Sequence, residues 1–370
     1  VVDRVVTLFL CGDVMLGRGV DQILPHSGDP TLHEHYAGDA RTYVELAEAV
    51  NGPIPRPVGF SWPWGDALPA LDQAEPDTQV INLETSITRS DAFASGKAVH
   101  YRMSPGNVPC LTTARPDVCV LGNNHVLDFG HQGLAETLDS LSNAGLRSAG
   151  AGRDLDEARR PATVAVPGGG RIVVFSCGMA SSGIPTSWAA MADRAGVDFL
   201  LGPSEAGAAE IIGRVRAVKR PGDVVVVSVH WGSNWGYDVV PGQVRFAHQL
   251  IDQGVDVIHG HSSHHPRPIE IYEGKVILYG CGDFIDDYEG ITGYEEYRDD
   301  LRLLYFVSVE ADTGRLAELR VVPMQARRMR LHRACGMDVS WVRDVLDRVS
   351  RPYGTRADLE RDGVINVRRR

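Results

Sequence analysis

Lysine is almost missing from this 370-residue chain. It occurs only at Lys97, Lys219 and Lys275, and arginine supplies the rest of the 37 basic residues. We read that bias as the mark of a GC-rich coding sequence. Positive charge is also in deficit, with 48 acidic residues and a net charge of -11. A general nucleic-acid binder needs Lys and Arg to neutralise phosphates, so that class is excluded. A small molecule or short peptide or polymer substrate, itself anionic, stays open, because bound divalent cations reverse a local field. Long hydrophobic runs are absent too: none approaches the ~18 residues of a membrane span. Val1 to Leu10 lacks the cationic start and cleavage site of a signal peptide. The six cysteines, Cys11, Cys110, Cys119, Cys177, Cys281 and Cys335, show no zinc-finger or C-x-x-C spacing. Cys11, Cys119 and Cys177 lie in apolar runs, where Cys acts as a small hydrophobe. A reduced, cytoplasmic setting is expected, or an extracytoplasmic one if an anchor precedes Val1. Neither a Gly-x-Ser-x-Gly elbow nor a Walker-type loop occurs, which removes two common catalytic plans.

What is present is a repeated pattern: a short apolar run that stops on polar residues. Val5 to Leu10 stops at Gly12-Asp13, Gln79 to Ile81 at Asn82-Leu83-Glu84, and Val118 to Leu121 at Gly122-Asn123-Asn124-His125. Val224 to Val229 stops at His230-Trp231-Gly232, and Val255 to Ile258 at His259-Gly260-His261. Runs like these read as strands buried on both faces. Helical spacing follows from His131 through Leu134, Leu138 and Leu141, and again over Glu205–Val218 and Gln243–Gln253. Strands alternating with helices imply an α/β sheet whose strand ends converge on one edge. Two hairpins, Ile269–Tyr279 and Leu301–Val322, are expected to complete a second sheet. Gln22 to Asp66 reads as an insertion over the sheet edge, Val339 to Val349 as a C-terminal helix, and Arg368 to Arg370 as a solvated tail. We expect one domain over residues 1–330, with 331–370 packing on it.

Carboxylates, an Asn carbonyl and imidazoles are ligands for Zn, Mn, Fe or Ni. Five strand ends that deliver them together, with glycines allowing close backbone approach, point to a metal site built from Asp13, Glu84, Asn124, His125, His230, His261 and His264.

The ordered motifs carry a resemblance. Gly12-Asp13-Val14-Met15-Leu16-Gly17-Arg18, Asn82-Leu83-Glu84-Thr85, Asn123-Asn124-His125 through Asp128-Phe129-Gly130, His230-Trp231-Gly232, Gly260-His261-Ser262-Ser263-His264 and Tyr279-Gly280-Cys281-Gly282-Asp283-Phe284 resemble the CapA-type poly-γ-glutamate capsule synthesis family. That family is similar to the calcineurin-like metallophosphoesterases. The resemblance spans Val5 to Gln325 and implies a four-layer α/β/β/α sandwich with two mixed sheets. It also implies one or two divalent transition metals (Mn, Fe or Zn). Glu84 would bridge them, Asp13 and His264 would complete one, and Asn124, His230 and His261 the other. A hydroxide held by the metals would attack a phosphoester or a γ-glutamyl-like amide. His125 would protonate the leaving group, with Asp128 orienting its ring. The same site on an amide-forming or transfer reaction is an alternative, as is a non-catalytic component of a polymer synthesis or export complex. Three positions depart from the metallophosphoesterase pattern: Met15 stands where a ligand His is usual, Glu84 where Asp is usual, and the histidines are spaced His-x-x-His. Arg18, Asn123, Trp231, His265 and Asp283 are candidates for substrate contact, each with packing or loop support as the alternative.

Overall fold

In the computed structural model, which describes residues 4–370, side-chain alternation along the buried strands decides the layering. On the opening strand Val5–Val14, Leu8 and Leu10 enter one core cluster and Phe9 and Cys11 another, all four buried. Successive Cβ atoms of a strand alternate faces, so a strand apolar at every position must be covered twice. Val224–His230 divides the same way: Val224 and Val226 join the cluster of Leu8 and Leu10, while Val225, Val227 and Val229 join a third. The shared cluster lies between two sheets packed face to face. Helices cover the outer faces. Gly130–Asn143 brings Leu134, Leu138 and Leu141 to the first sheet. Glu205–Val218 and Pro241–Asp252 bring Ile211, Val215, Phe246 and Leu250 to the second.

Both large sheets are mixed. In the ten-stranded sheet, Val5–Val14 runs parallel to Thr78–Leu83, then come Val118–Val120 and Arg147–Ala149, also parallel. In the seven-stranded sheet, Arg171–Met179, Val224–His230, Val257–His261 and Lys275–Leu278 are parallel neighbours. Parallel order is what places the C-terminal ends of these strands, and their polar residues, on common edges. Two glycines let the backbones meet there. A Cβ on Gly12 would lie 1.5 Å from the Gly282 carbonyl oxygen, which accepts a 3.1 Å bond from the Asp13 amide. A Cβ on Gly122 would lie 2.8 Å from Ser176 Oγ, at the point where the edges of the two sheets touch.

Several expectations need correction. The Ile269–Tyr272 and Lys275–Leu278 hairpin completes the second sheet, but the Leu301–Glu310 and Leu316–Ala326 hairpin joins the first, beside Val5–Val14. Arg368 and Arg369 are exposed, as expected of a solvated tail, but they are not free of the sheet. They end the strand Ile365–Arg369, which pairs with Thr355–Leu359 and with Leu316–Ala326 and buries Ile365 and Val367. The C-terminal helix Met337–Ser350 sinks Val339, Val342 and Leu346 into the cluster between the sheets. The segment read as an insertion carries the helix Arg41–Asn51. All six cysteines are free thiols, five of them buried. Among the described residues, no helix is long and apolar enough to cross a membrane. Residues 1–3, where the leader reading of Val1 to Leu10 begins, lie outside the described residues.

Candidate metal centre

His230 and His261 are the last residues of neighbouring parallel strands and stand directly opposite in register. Their Nδ1 atoms are 2.7 Å apart. Asp13 reaches them from the other sheet: one ligand atom from each of Asp13, His230 and His261 lies within 4.8 Å of the other two, and all three residues are buried.

The hydrogen bonds around the imidazoles determine which nitrogens carry protons. The Cys11 carbonyl can only accept, so His259 donates to it from Nε2, at 2.7 Å. His259 Nδ1 then accepts from Ser228 Oγ at 3.0 Å, and that oxygen accepts in turn from His261 Nε2 at 2.9 Å. His230 Nε2 donates to Asn124 Oδ1 at 2.9 Å. Neutral histidines with these partners present bare Nδ1 lone pairs to each other. Burial holds both rings well below the usual histidine pKa, each neighbouring imidazole adding to the effect. Two lone pairs at this distance repel unless a cation sits between them.

The carboxylates make the same demand. Asn82 Nδ2 donates to Asp13 Oδ1 at 2.7 Å and to Glu84 Oε2 at 2.8 Å. Asp13 Oδ2 is buried with no partner at all. Burial, together with Glu84 and Asp283, pushes Asp13 well above the usual carboxylate range. Burial pushes Glu84 up to about 8, with Asp283 adding to the effect. Glu84 Oε1 lies 3.8 Å from His230 Nε2 and 3.9 Å from His125 Nε2. An orphaned carboxylate oxygen beside two facing lone pairs is a donor set of the hard-and-borderline kind that Zn, Mn or Fe accepts. The residues present therefore fit a divalent cation.

His125 stands at the rim. Asp128 Oδ2 accepts from its Nδ1 at 2.7 Å and from the Tyr101 amide at 2.7 Å, so Nε2 faces Glu84. Burial lowers the His125 pKa to about 4 despite Asp128. Burial alone would raise Asp128, but His125 and Lys97 together hold it below the usual range. The Lys97 Nζ is bonded to both Asp128 Oδ1 and the Asn124 carbonyl. Lys97 was not among the residues singled out from sequence. Its signal was rarity, as one of three lysines in a chain that otherwise uses arginine.

His264, expected as a ligand, stands between Asp283 and Asn234. Its Nδ1 sits 3.0 Å from both oxygens of Asp283, and Asn234 Nδ2 lies 2.9 Å from Nε2. Burial lowers its pKa, but Asp283 outweighs that and carries it up to about 9. A carboxylate at Nδ1 is also the usual support of a metal-ligating imidazole, whose Nε2 offers its lone pair once the proton is displaced. Asp283 is a structural counter-ion here: Tyr288 donates to it at 2.6 Å, and Arg302 Nη1 stands 3.3 Å away.

A cavity of about 770 Å³ opens over these groups, lined by Glu84, Asn124, His125, His230, His264, Lys97 and Arg18 among others. Asp13 and His261 lie outside the lining. Three candidates for substrate contact are directed elsewhere. Asn123 donates to Asn82 Oδ1 and the Leu83 carbonyl and accepts from the His125 amide, so it braces the loop. Trp231 is buried, donates to the Tyr279 carbonyl and packs on Phe246. His265 is buried, with its ring stacked on Tyr297. Arg18 does line the cavity, with Nε and Nη2 bound to Asp287 and Nη1 to Glu34.

Comparison with known proteins agrees with the motif order. A "Probable polyglutamine synthesis accessory protein" of Mycobacterium tuberculosis is 55% identical over 364 residues, covering 98% of this chain and 96% of that protein. The PGA biosynthesis protein CapA of Bacillus subtilis is 27% identical over 314 residues, covering 85% and 70%. The capsule biosynthesis protein CapA of Bacillus anthracis is 24% identical over 321 residues, covering 86% and 67%. The family described as "Bacterial capsule synthesis protein PGA_cap" matches residues 7–288, a span that holds Asp13, Glu84, Asn124, His125, His230, His261 and His264, and the chain belongs to that family.

Proposed function

We propose that this chain is a metal-dependent hydrolase acting on a phosphoester or amide bond, on a four-layer sandwich of the metallophosphoesterase type. Two face-to-face sheets with helices outside support the fold reading. The observation that carries the function is the donor set: the facing Nδ1 atoms of His230 and His261 with the orphaned Asp13 Oδ2 beside them. Asp13, His230 and His261 would hold a divalent cation, and Asn124 and Glu84 stand beside them. Such a cation polarises the electrophile and lowers the pKa of a coordinated water.

The chain's own residues do the rest. Asn82 holds Asp13 and Glu84 apart and oriented. Asp128 fixes His125 so that Nε2 faces the reacting bond, and Lys97 fixes Asp128. His125 is neutral in the free protein at pH 7, so Nε2 takes up a proton from the attacking water and delivers it to the leaving group. The printed name of the mycobacterial relative, an accessory protein, favours a second reading in which the site binds without turnover. An activity panel separates the two. Phosphomonoesters, phosphodiesters and γ-glutamyl amides are offered with Mn, Fe or Zn. The hydrolase reading expects metal-dependent turnover in one class; silence across the panel with metal bound leaves the accessory reading.

A further inference from the structure

The wall opposite the metal centre has a different character. It comes from the helix Arg41–Asn51, whose Tyr43, Leu46, Ala47 and Val50 are spaced as one helical stripe. Such a stripe normally faces a core. Here Tyr43 and Ala47 are buried, but Leu46 is 60% exposed and Val50 76% exposed, and all four line the cavity with Tyr36, itself 70% exposed. Ile291 lines it too. Exposed apolar side chains scattered singly carry no message, but grouped along the lining of one cavity they mark a binding surface.

The charges along the cavity point the same way. Among the described residues that line it, the arginine is Arg18 and the lysine is Lys97. Both already face carboxylates: Arg18 meets Asp287 and Glu34, and Lys97 meets Asp128. A chain of glutamates entering here would carry one carboxylate per residue, and away from the metal centre it would meet an arginine and a lysine already matched by carboxylates. Desolvating unpaired charges is costly. An aliphatic body would instead cover Leu46, Val50 and Tyr36 at a gain, and about 770 Å³ is an ordinary volume for a ligand of drug-like size.

We infer that the ligand of this cavity is a single-headed amphiphile: one polar amide or phosphoester head at the metal centre, and an aliphatic tail along the Arg41–Asn51 helix. This rests on the reading that the cavity is the reaction site, and it concerns binding, so it stands or falls separately from turnover. The test is calorimetric titration of the zinc-loaded protein with N-acyl glycinamides from acetyl to decanoyl, kept below their micelle concentrations, against γ-linked pentaglutamate. Affinity should rise about three- to fourfold per methylene through the middle of the series, and pentaglutamate should bind more weakly than the decanoyl compound. The exposed double variant Leu46→Gln/Val50→Gln should flatten that slope while holding zinc as before. A flat series, no binding by any member, or pentaglutamate binding as tightly as the decanoyl compound overturns the inference. So does a wild-type protein that self-associates, or sediments with phosphatidylcholine vesicles, through Leu46 and Val50 without binding the monomeric probes.

Discussion

Two imidazoles whose bare nitrogens face each other across 2.7 Å, beside a buried carboxylate oxygen with no partner, set the behaviour of the site at the scale of single residues. Cation binding must displace protons from the carboxylates, and Glu84 stands at about 8 in the metal-free protein. Metal affinity should therefore tighten as pH rises from about 6.5 to 8, with proton release on binding, measured by titration calorimetry in buffers of different ionisation heat. The metal-free fold has the opposite slope. His264 is raised to about 9 by Asp283, so its stabilising contribution is complete below its unfolded value of about 6.5 and is lost as pH rises through 9. Glu84 is also raised, so its contribution likewise fades with rising pH, complete by about 8. His125 is lowered to about 4, so its contribution is present above about 6.5 and is lost as pH falls through 4. Thermal melts of chelated protein should peak near pH 6.5 and fall toward pH 9; a plateau over that range would contradict the assignment of His264. His125→Ala should lower kcat by about 10²–10⁴-fold while the cation stays bound, whereas loss of the metal would make His125 a ligand. At this scale the sequence was legible where chemistry recurs at strand ends, as at Asp13, His230 and His261. It was silent where function depends on reach. Lys97 lies in a loop without a motif and meets Asp128 only through the fold. Nor does spacing reveal that Asp283 stands against the His264 ring.

Among the elements, the strands were the most legible, because burial on both faces leaves a near-continuous apolar run. Val224–His230 and Val257–His261 needed little more than their valines and isoleucines. The helix Glu205–Val218 was bounded by Ser204, whose hydroxyl caps the Gly207 amide, and by the Lys219–Arg220–Pro221 stop. The strands that escaped were short or charged. Ile365–Arg369 alternates buried Ile365 and Val367 with half-buried Asn366 and exposed Arg368, and its Arg-Arg-Arg ending hid that period. Arg302 was a missed signal of another kind. It interrupts the apolar strand Leu301–Glu310, is fully buried, and meets Asp283 and Asp286. A lone Arg in such a run needs a buried counter-ion, and the acidic loop after Phe284 was there to supply it. The crossing of Gly12 and Gly282 is the tightest joint between elements. Gly12→Ala would force a methyl group into a carbonyl oxygen and should cost at least about 3 kcal/mol, read from the urea midpoint. Gly38→Ala, with open space around the added atom, should stay within about 0.5 kcal/mol.

For the whole molecule, the decisive fact is that the donor set spans both sheets: Asp13 comes from the ten-stranded sheet, His230 and His261 from the seven-stranded one. A cation held there ties the two halves of the fold together. It should stabilise the native state by about 2.7 kcal/mol at a hundredfold excess over its dissociation constant, so chelation should lower Tm by a few degrees. The acidic balance of the chain, -11 overall, favours cation capture at the same time. The measurement that bears most directly on this account is metal content. Protein purified without chelator and offered Mn, Fe or Zn is desalted and assayed for bound metal, beside Asp13→Asn and His261→Gln variants whose folding is checked by circular dichroism. The account predicts at least one tightly bound cation per wild-type chain, and folded variants that have lost it. A folded wild-type protein that refuses all three metals would contradict it.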